Sequence, residues 1–239
     1  MSTVDGQYSA TGKLPAGTTL LLRVNGRSGV AADATGVALN VTVTDPLAAG
    51  FITVYPCGDR PNASTVNFTL GATVANSVIA GVSAEGQVCL YTSATTDLVV
   101  DVGGYSPANS DYYAVIPGSL LETRSAEGLG TVDGAFSGIG QLQAGSTVKL
   151  AVNGRANLHS AAIAATLNVT VTDPLAAGFI TVYPCGERPN TSNVNFTRGE
   201  TVANSVIAGV STDGYVCLYT SASTDLIVDV GGYINEMSK

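Results

Sequence analysis

Apolar and polar residues alternate along most of this chain. Leu20, Leu22 and Val24 alternate with Leu21 and Arg23, and Leu39, Val41 and Val43 with Asn40, Thr42 and Thr44. Val66 and Phe68 alternate with Thr65, Asn67 and Thr69, and Leu98, Val100 and Val102 with Asp97, Val99 and Asp101. In the second half, Val148, Leu150 and Val152 alternate with Lys149 and Ala151. A period of two turns one face of a strand to a core and the other to water or a partner. The turn-forming segments DPLAAG, CGDRPN and AEGQ (TDGY in the second half) separate these runs. Short strands with a turn every ~8–12 residues predict an antiparallel sandwich or barrel. Nothing reads as a long helix. The stretch LNVTVTDPLAAGFITVY reads as strand, turn and hairpin partner. Asp45 and Pro46 are expected to set that turn, and Gly50 to supply a positive φ.

The pattern occurs twice. A shift of 128 residues, from Cys57 to Cys185, also carries Cys89 onto Cys217. It carries Val24–Arg27 onto Val152–Arg155, Thr73–Ser83 onto Thr201–Ser211, and Val100–Tyr105 onto Val228–Tyr233 without a gap. The block Leu39–Gly58 returns unchanged as Leu167–Gly186. So long a period indicates a duplicated domain, since solenoid repeats run to about 20–50 residues. The expected fold is all-β: two tandem antiparallel β-sandwich domains related by internal duplication, 1–105 and 112–239, joined by the polar linker 106–111. Copy 1 lacks a counterpart of Tyr112–Gly130, and so lacks an opening strand. Its strand part, Tyr112–Arg124, with Tyr112, Val115, Leu120 and Leu121 as candidate donor positions, either folds back onto copy 1 or completes copy 2. In both cases one sheet edge per chain stays open, a template for strand addition by a neighbouring chain unless a loop covers it.

Composition narrows the functions. Apolar residues make up 45% of the chain and charged residues only 12%, with 28 Gly and no Trp. The net charge is −8, which leaves no basic footprint for nucleic acid and disfavours anionic membrane surfaces. No apolar run reaches the ~18 residues that would span a bilayer. The opening MSTVDGQYSATG is polar, so any export signal is expected to lie outside this sequence.

The cysteines carry the most specific signal. Cys57 ends one predicted strand and Cys89 lies inside another, as do Cys185 and Cys217. Two structural disulfides, Cys57–Cys89 and Cys185–Cys217, are expected, and with them an oxidising compartment. Each copy has too few Cys and no repeated His for a zinc site, and C-x-x-C is absent. The one histidine, His159, has Ala31 as its counterpart, so no Ser–His–Asp machinery repeats, and no catalytic residues are expected.

Carboxylates recur more faithfully. Asp45, Asp97 and Asp101 return as Asp173, Asp225 and Asp229, and Asp59 as Glu187. None has the spacing of a calcium loop; calcium is the one ligand these acids leave open, and no other cofactor is expected. Asp101 and Asp229 lie in Val-rich strands, where a carboxylate needs a partner. Arg27 is expected to pair with Asp101 and Arg155 with Asp229, Arg124 competing for the latter. Asn40, Asn62, Asn67, Asn168, Asn190 and Asn195 each open an Asn-x-Ser/Thr triplet. They read as polar strand faces, with glycan attachment as the alternative. Tyr55, Tyr91, Tyr183 and Tyr219 would add aromatic faces for a sugar, weakened by the absence of Trp.

The order LLETR, GTVDG, AGSTVKLAVNGR, LNVTVTDPLAAGFITVYPCG, TVANSVIAGVS and VCLYTSASTDLIVDVGGY resembles a repeat domain of secreted and cell-surface proteins of actinobacteria. Copy 2 is similar to the whole domain, and copy 1 only from TVDG onward. Such domains are often fused to peptidases or other hydrolases. The resemblance implies an extracellular, non-catalytic role and no catalytic residues. The expected function is therefore a secreted or cell-surface structural and adhesive protein, self-assembling through strand addition. The alternative is a carbohydrate-binding accessory module of a secreted hydrolase. Its partners would be copies of itself or cell-surface polysaccharide, without nucleic acid and without membrane insertion.

Overall fold

A computed structural model describes residues 3–236. The chain separates into two compact units, Met1–Ser110 and Asp111–Lys239. The described residues are all-β, and every pair of neighbouring strands runs antiparallel.

Unit 1 contains β1 (Thr19–Arg23), β2 (Gly36–Thr44), β3 (Gly50–Pro56), β4 (Val66–Phe68), β5 (Val74–Gly81), β6 (Gln87–Thr92) and β7 (Asp97–Ser106). They form a four-stranded sheet, β1-β6-β3-β4, and a three-stranded one, β5-β2-β7. The predicted alternation sets the core. Val37, Val41 and Val43 of β2 are buried with Ile52 and Val54 of β3 and Leu90 of β6, so both sheets contribute to one sandwich interior. Cys57, just past β3, bonds to Cys89 of the neighbouring β6.

Unit 2 begins with β8 (Tyr112–Glu122) and continues through β9 (Thr147–Ala151), β10 (Ala162–Thr172) and β11 (Gly178–Pro184). It ends with β12 (Val194–Phe196), β13 (Val202–Gly209), β14 (Tyr215–Thr220) and β15 (Asp225–Asn235). Its sheets run β12-β11-β14-β9 and β13-β10-β15-β8, and Cys185 bonds to Cys217. Ser106, which the sequence reading placed in the linker, is the last residue of β7.

One turn differs from expectation. The positive φ falls on Asp45 (49°) and Asp173 (51°), ahead of the prolines, and not on Gly50. Gly50 is needed for space: a Cβ there would lie 2.6 Å from Ser93 Oγ and 2.9 Å from Ala94 Cβ. The expected hairpin does not form: β2 pairs with β5 and β7, and β3 with β4 and β6, so DPLAAG carries the chain from one sheet to the other, held by close approach as well as by turn chemistry.

Candidate functional site

The two units differ most at one edge. β7 (DLVVDVGGYS) and β15 (DLIVDVGGYI) are almost the same strand, yet β15 lies between β10 and β8 while β7 has only β2 beside it. The consequence appears residue by residue. Leu226, Val228, Asp229, Val230 and Gly232 are buried; Leu98, Val100 and Gly104 are half-buried, and Asp101 and Val102 exposed. Val102 is 37% accessible where Val230 is 0%. A natural edge strand is usually blunted by Lys, Pro or a bulge. β7 has no Lys or Pro, and neither its Asp101 nor its bulge at Gly103 is an edge device, because the same aspartate is buried in β15 and the same bulge recurs there. β7 is an inner strand by sequence and an edge strand by position.

Unit 2 shows what such an edge accepts. β8 pairs with it from Tyr112 opposite Ile234 to Glu122 opposite Ile227. Leu120 and Leu121 are fully buried, and Val115 nearly so. Tyr113 stacks on Tyr233 with ring centroids 5.2 Å apart. The Tyr112 phenol lies over Gly232, where a methyl group would collide with it, and shares a 3.3 Å hydrogen bond with Thr166 Oγ1. Burial pushes that phenol up to about 12. Thr123 continues the contact, its Oγ1 donating to Asp225 Oδ1 at 2.6 Å and accepting the Leu226 N–H at 2.9 Å.

The far side of β8 is clasped by the loop that follows it. Val132 N–H donates to Ser119 O, Gly138 N–H to Glu122 O at 2.7 Å, and Gly140 N–H to Thr123 O at 2.9 Å, while Phe136 O accepts the Glu122 N–H. Positive φ at Phe136, Gly138 and Gly140 (58°, 62° and 86°) aims these groups. Unit 1 keeps the same loop. Tyr8, Ala10 and Gly12 hold φ of 57°, 51° and 79°, a conformation that alanine adopts only at a cost. Among the described residues no strand lies between this loop and β7.

The arginines correct the expected ion pairs. Arg27 binds Asp5, not Asp101, through Nε to Oδ2 at 2.6 Å and Nη2 to Oδ1 at 2.8 Å. Arg155 binds Asp133, not Asp229, in the same fork at 2.7 Å for each bond. Arg124 binds Glu122 two residues away. The physical reason is the loop: TVDG folds beside NGR and presents a planar carboxylate to a planar guanidinium. Asp229 instead sits opposite Asn168 in the ladder. The paired recurrence of TVDG and NGR in both copies was the signal that could have revealed Asp5 and Asp133. Arg155 Nη1 also donates to Leu120 O of β8 at 3.0 Å and to Ala151 O at 2.9 Å. Arg27 Nη1 makes only the second kind of bond, to Arg23 O at 2.8 Å.

These forks make an acid-stability prediction. The guanidiniums of Arg27 and Arg155 hold Asp5 and Asp133 at about 2, below the ordinary 3.8. A carboxylate with a depressed folded-state value contributes fully above its unfolded value and loses that contribution as pH falls through the folded one. The pairs are therefore intact above about pH 4 and lost toward pH 2. Urea unfolding at stepped pH should show a shallower decline across that window for the Asp5→Asn, Asp133→Asn double variant than for the parent.

Lys13 marks a further difference. Its Nζ donates to Asp45 Oδ2 and Asp97 Oδ2, each at 2.7 Å, and both carboxylates raise its pKa. In unit 2 the counterpart is Gln141, and the charge of Arg124 acts on Asp225 and Asp173 instead. A residue from within unit 1 thus balances the acids that β8's extension balances in unit 2.

The tyrosines divide. Tyr55 and Tyr183 are buried and offer no surface for a ligand, a correction to their expected role. The chain after the first cysteine roofs the outer face of β3, where Thr53 Oγ1 donates to Ala63 O. Tyr91 and Tyr219 are half-exposed, each 6.0 Å from Phe51 or Phe179 and covered by Arg60 or Arg188 at 4.2 Å. Among the described residues no group of three His, Cys, Asp or Glu gathers as a metal site would. His159 is exposed in a turn, its Nδ1 accepting the Ala161 N–H.

No family model matches the chain, and no curated protein matches it.

Proposed function

We propose that this chain is a structural and adhesive protein of the cell exterior, working through the open edge of unit 1 by strand addition. The observation that carries this reading is the contrast between β7 and β15: nearly one sequence, with a bound strand on β15 and, among the described residues, none on the matching edge of β7. Two intra-unit disulfides support a non-cytoplasmic setting. No helix among the described residues is long and apolar enough to cross a membrane.

An open inner-type strand pairs with whatever edge it meets, so the isolated chain should associate with copies of itself as its concentration rises. Sedimentation velocity over a dilution series measures this. A chain prefixed with a second copy of residues 112–130 fills its own edge and should remain monomeric. Identical behaviour of the two chains, whether monomeric or assembled, would remove self-association through this edge.

A second reading has one observation in its favour. The clusters Phe51–Tyr91–Arg60 and Phe179–Tyr219–Arg188 repeat with the same geometry on both units and would give a polysaccharide two equal footholds. A glycan array decides it: binding lost in Tyr91→Ala, Tyr219→Ala would favour the carbohydrate-binding module.

A further inference from the structure

We propose that the groove of unit 1 between β7 and residues 4–12 is a binding site for an extended segment of a partner polypeptide with the chemistry of Tyr112–Arg124. The inference rests on the open edge being the working surface, and names what fills it. Both walls of the groove exist in unit 1, and the seats can be read across residue by residue except at Asp97, where Lys13 already holds the carboxylate that takes Thr123 in unit 2.

Transferred by register, a bound segment places its first tyrosine opposite Ser106, its second opposite Tyr105, and its alanine opposite Gly104. Gly104 has nothing within 4 Å of the position of a Cβ, whereas that position on Gly232 is filled by the Tyr112 phenol. Tyr105 is 43% accessible and offers the face that Tyr233 offers to Tyr113. The Leu-Leu pair comes down beside Leu98, Val100 and Val102, the positions that are more open in unit 1 than in unit 2. Arg27 stands where Arg155 donates to the Leu120 carbonyl. The loop supplies the N–H groups of residues 10 and 12 where residues 138 and 140 clasp the strand from its far side. Recognition would combine main-chain ladder bonds with alternate side-chain pockets.

Two other occupants, both from a second copy of this chain, would bind more weakly and fill the edge only as its concentration rises. A second copy's β8 already completes its own unit 2, so its transfer breaks as many edge bonds as it makes. Direct pairing of two β7 edges must bring a whole sheet into a groove that is walled on both sides at the Asp97–Asp101 end. A single strand from another polypeptide satisfies both walls.

The test titrates a fluorescently labelled synthetic peptide of residues 112–124 into the full chain and reads anisotropy. One-to-one saturable binding is expected, with slowed amide exchange in 97–105 and 4–12 and no binding of a scrambled peptide. Gly104→Val adds a side chain where unit 1 has open space, so the melting temperature should hold, but it fills the tyrosine seat. Binding should fall about tenfold or more. Absence of saturable binding overturns the proposal, and so does binding that Gly104→Val leaves unchanged, because the peptide is then on another edge. A chain that stays monomeric yet binds the peptide removes self-association and keeps this site. A chain that assembles yet ignores the peptide does the reverse.

Discussion

Replacing Leu121 with alanine should lower the stability of unit 2 by about 2–5 kcal/mol and leave unit 1 unchanged. Leu121 is fully buried, and its strand is held chiefly by apolar contacts beneath it and ladder bonds along β15. Removing the isobutyl group leaves a cavity that a sheet strand, clasped on both sides, cannot collapse to fill. The cost therefore belongs at the upper part of the range for a large-to-small change. Hydrogen exchange read by mass spectrometry separates the units: amides of β8 and β15 should exchange faster, and those of β2 and β7 should not. Accelerated exchange in β7 would show that β8 supports unit 1 as well, and would cancel the asymmetry on which the open edge depends.

Removal of either disulfide should cost its own unit about 3.5–4 kcal/mol, from the chain entropy of a closed loop of this size. Each bridge joins residues 32 apart and links a strand end to its neighbour within one sheet. The double variants Cys57→Ala, Cys89→Ala and Cys185→Ala, Cys217→Ala avoid a stray thiol and should act separately. Unit 1, with the smaller second sheet, should come nearer to unfolding. Urea unfolding of each variant, followed by exchange of unit-specific amides, gives the two losses. Equal effects of one variant on both units would contradict the separation of the cores.

Much of this molecule was legible in the order of its residues. Period-two alternation at Leu39, Val41 and Val43, and at Leu98, Val100 and Val102, specified strands and their inward faces, because side-chain direction in a strand depends only on parity. The cysteine pairs were legible because each falls at a strand end or within a strand in both halves. The arginine partners were not. Asp5 and Asp133 are distant in sequence from Arg27 and Arg155, and only the folded loop brings fork to carboxylate. Tyr55 and Tyr183 misled because parity tells which face a side chain occupies, not that a later loop will roof that face.

The destination of Tyr112–Glu122 was settled by tertiary structure alone. Within these residues two nearly identical strands, β7 and β15, share a single donor segment, and the sequence by itself determined that it can join only one of them. It did not determine which, because local pairing energies at the two edges are almost the same. The connection 107–111 would even close a hairpin onto β7 in the register that β8 adopts on β15. What separates the alternatives lies beyond the strands. β8 runs directly into the loop that clasps it, through Glu122, Thr123, Gly138 and Gly140, and Thr123 closes on Asp225. In unit 1 the matching Asp97 is already bound to Lys13. Contacts between β8 and its own following loop require little chain closure, and they tip an otherwise balanced choice toward unit 2.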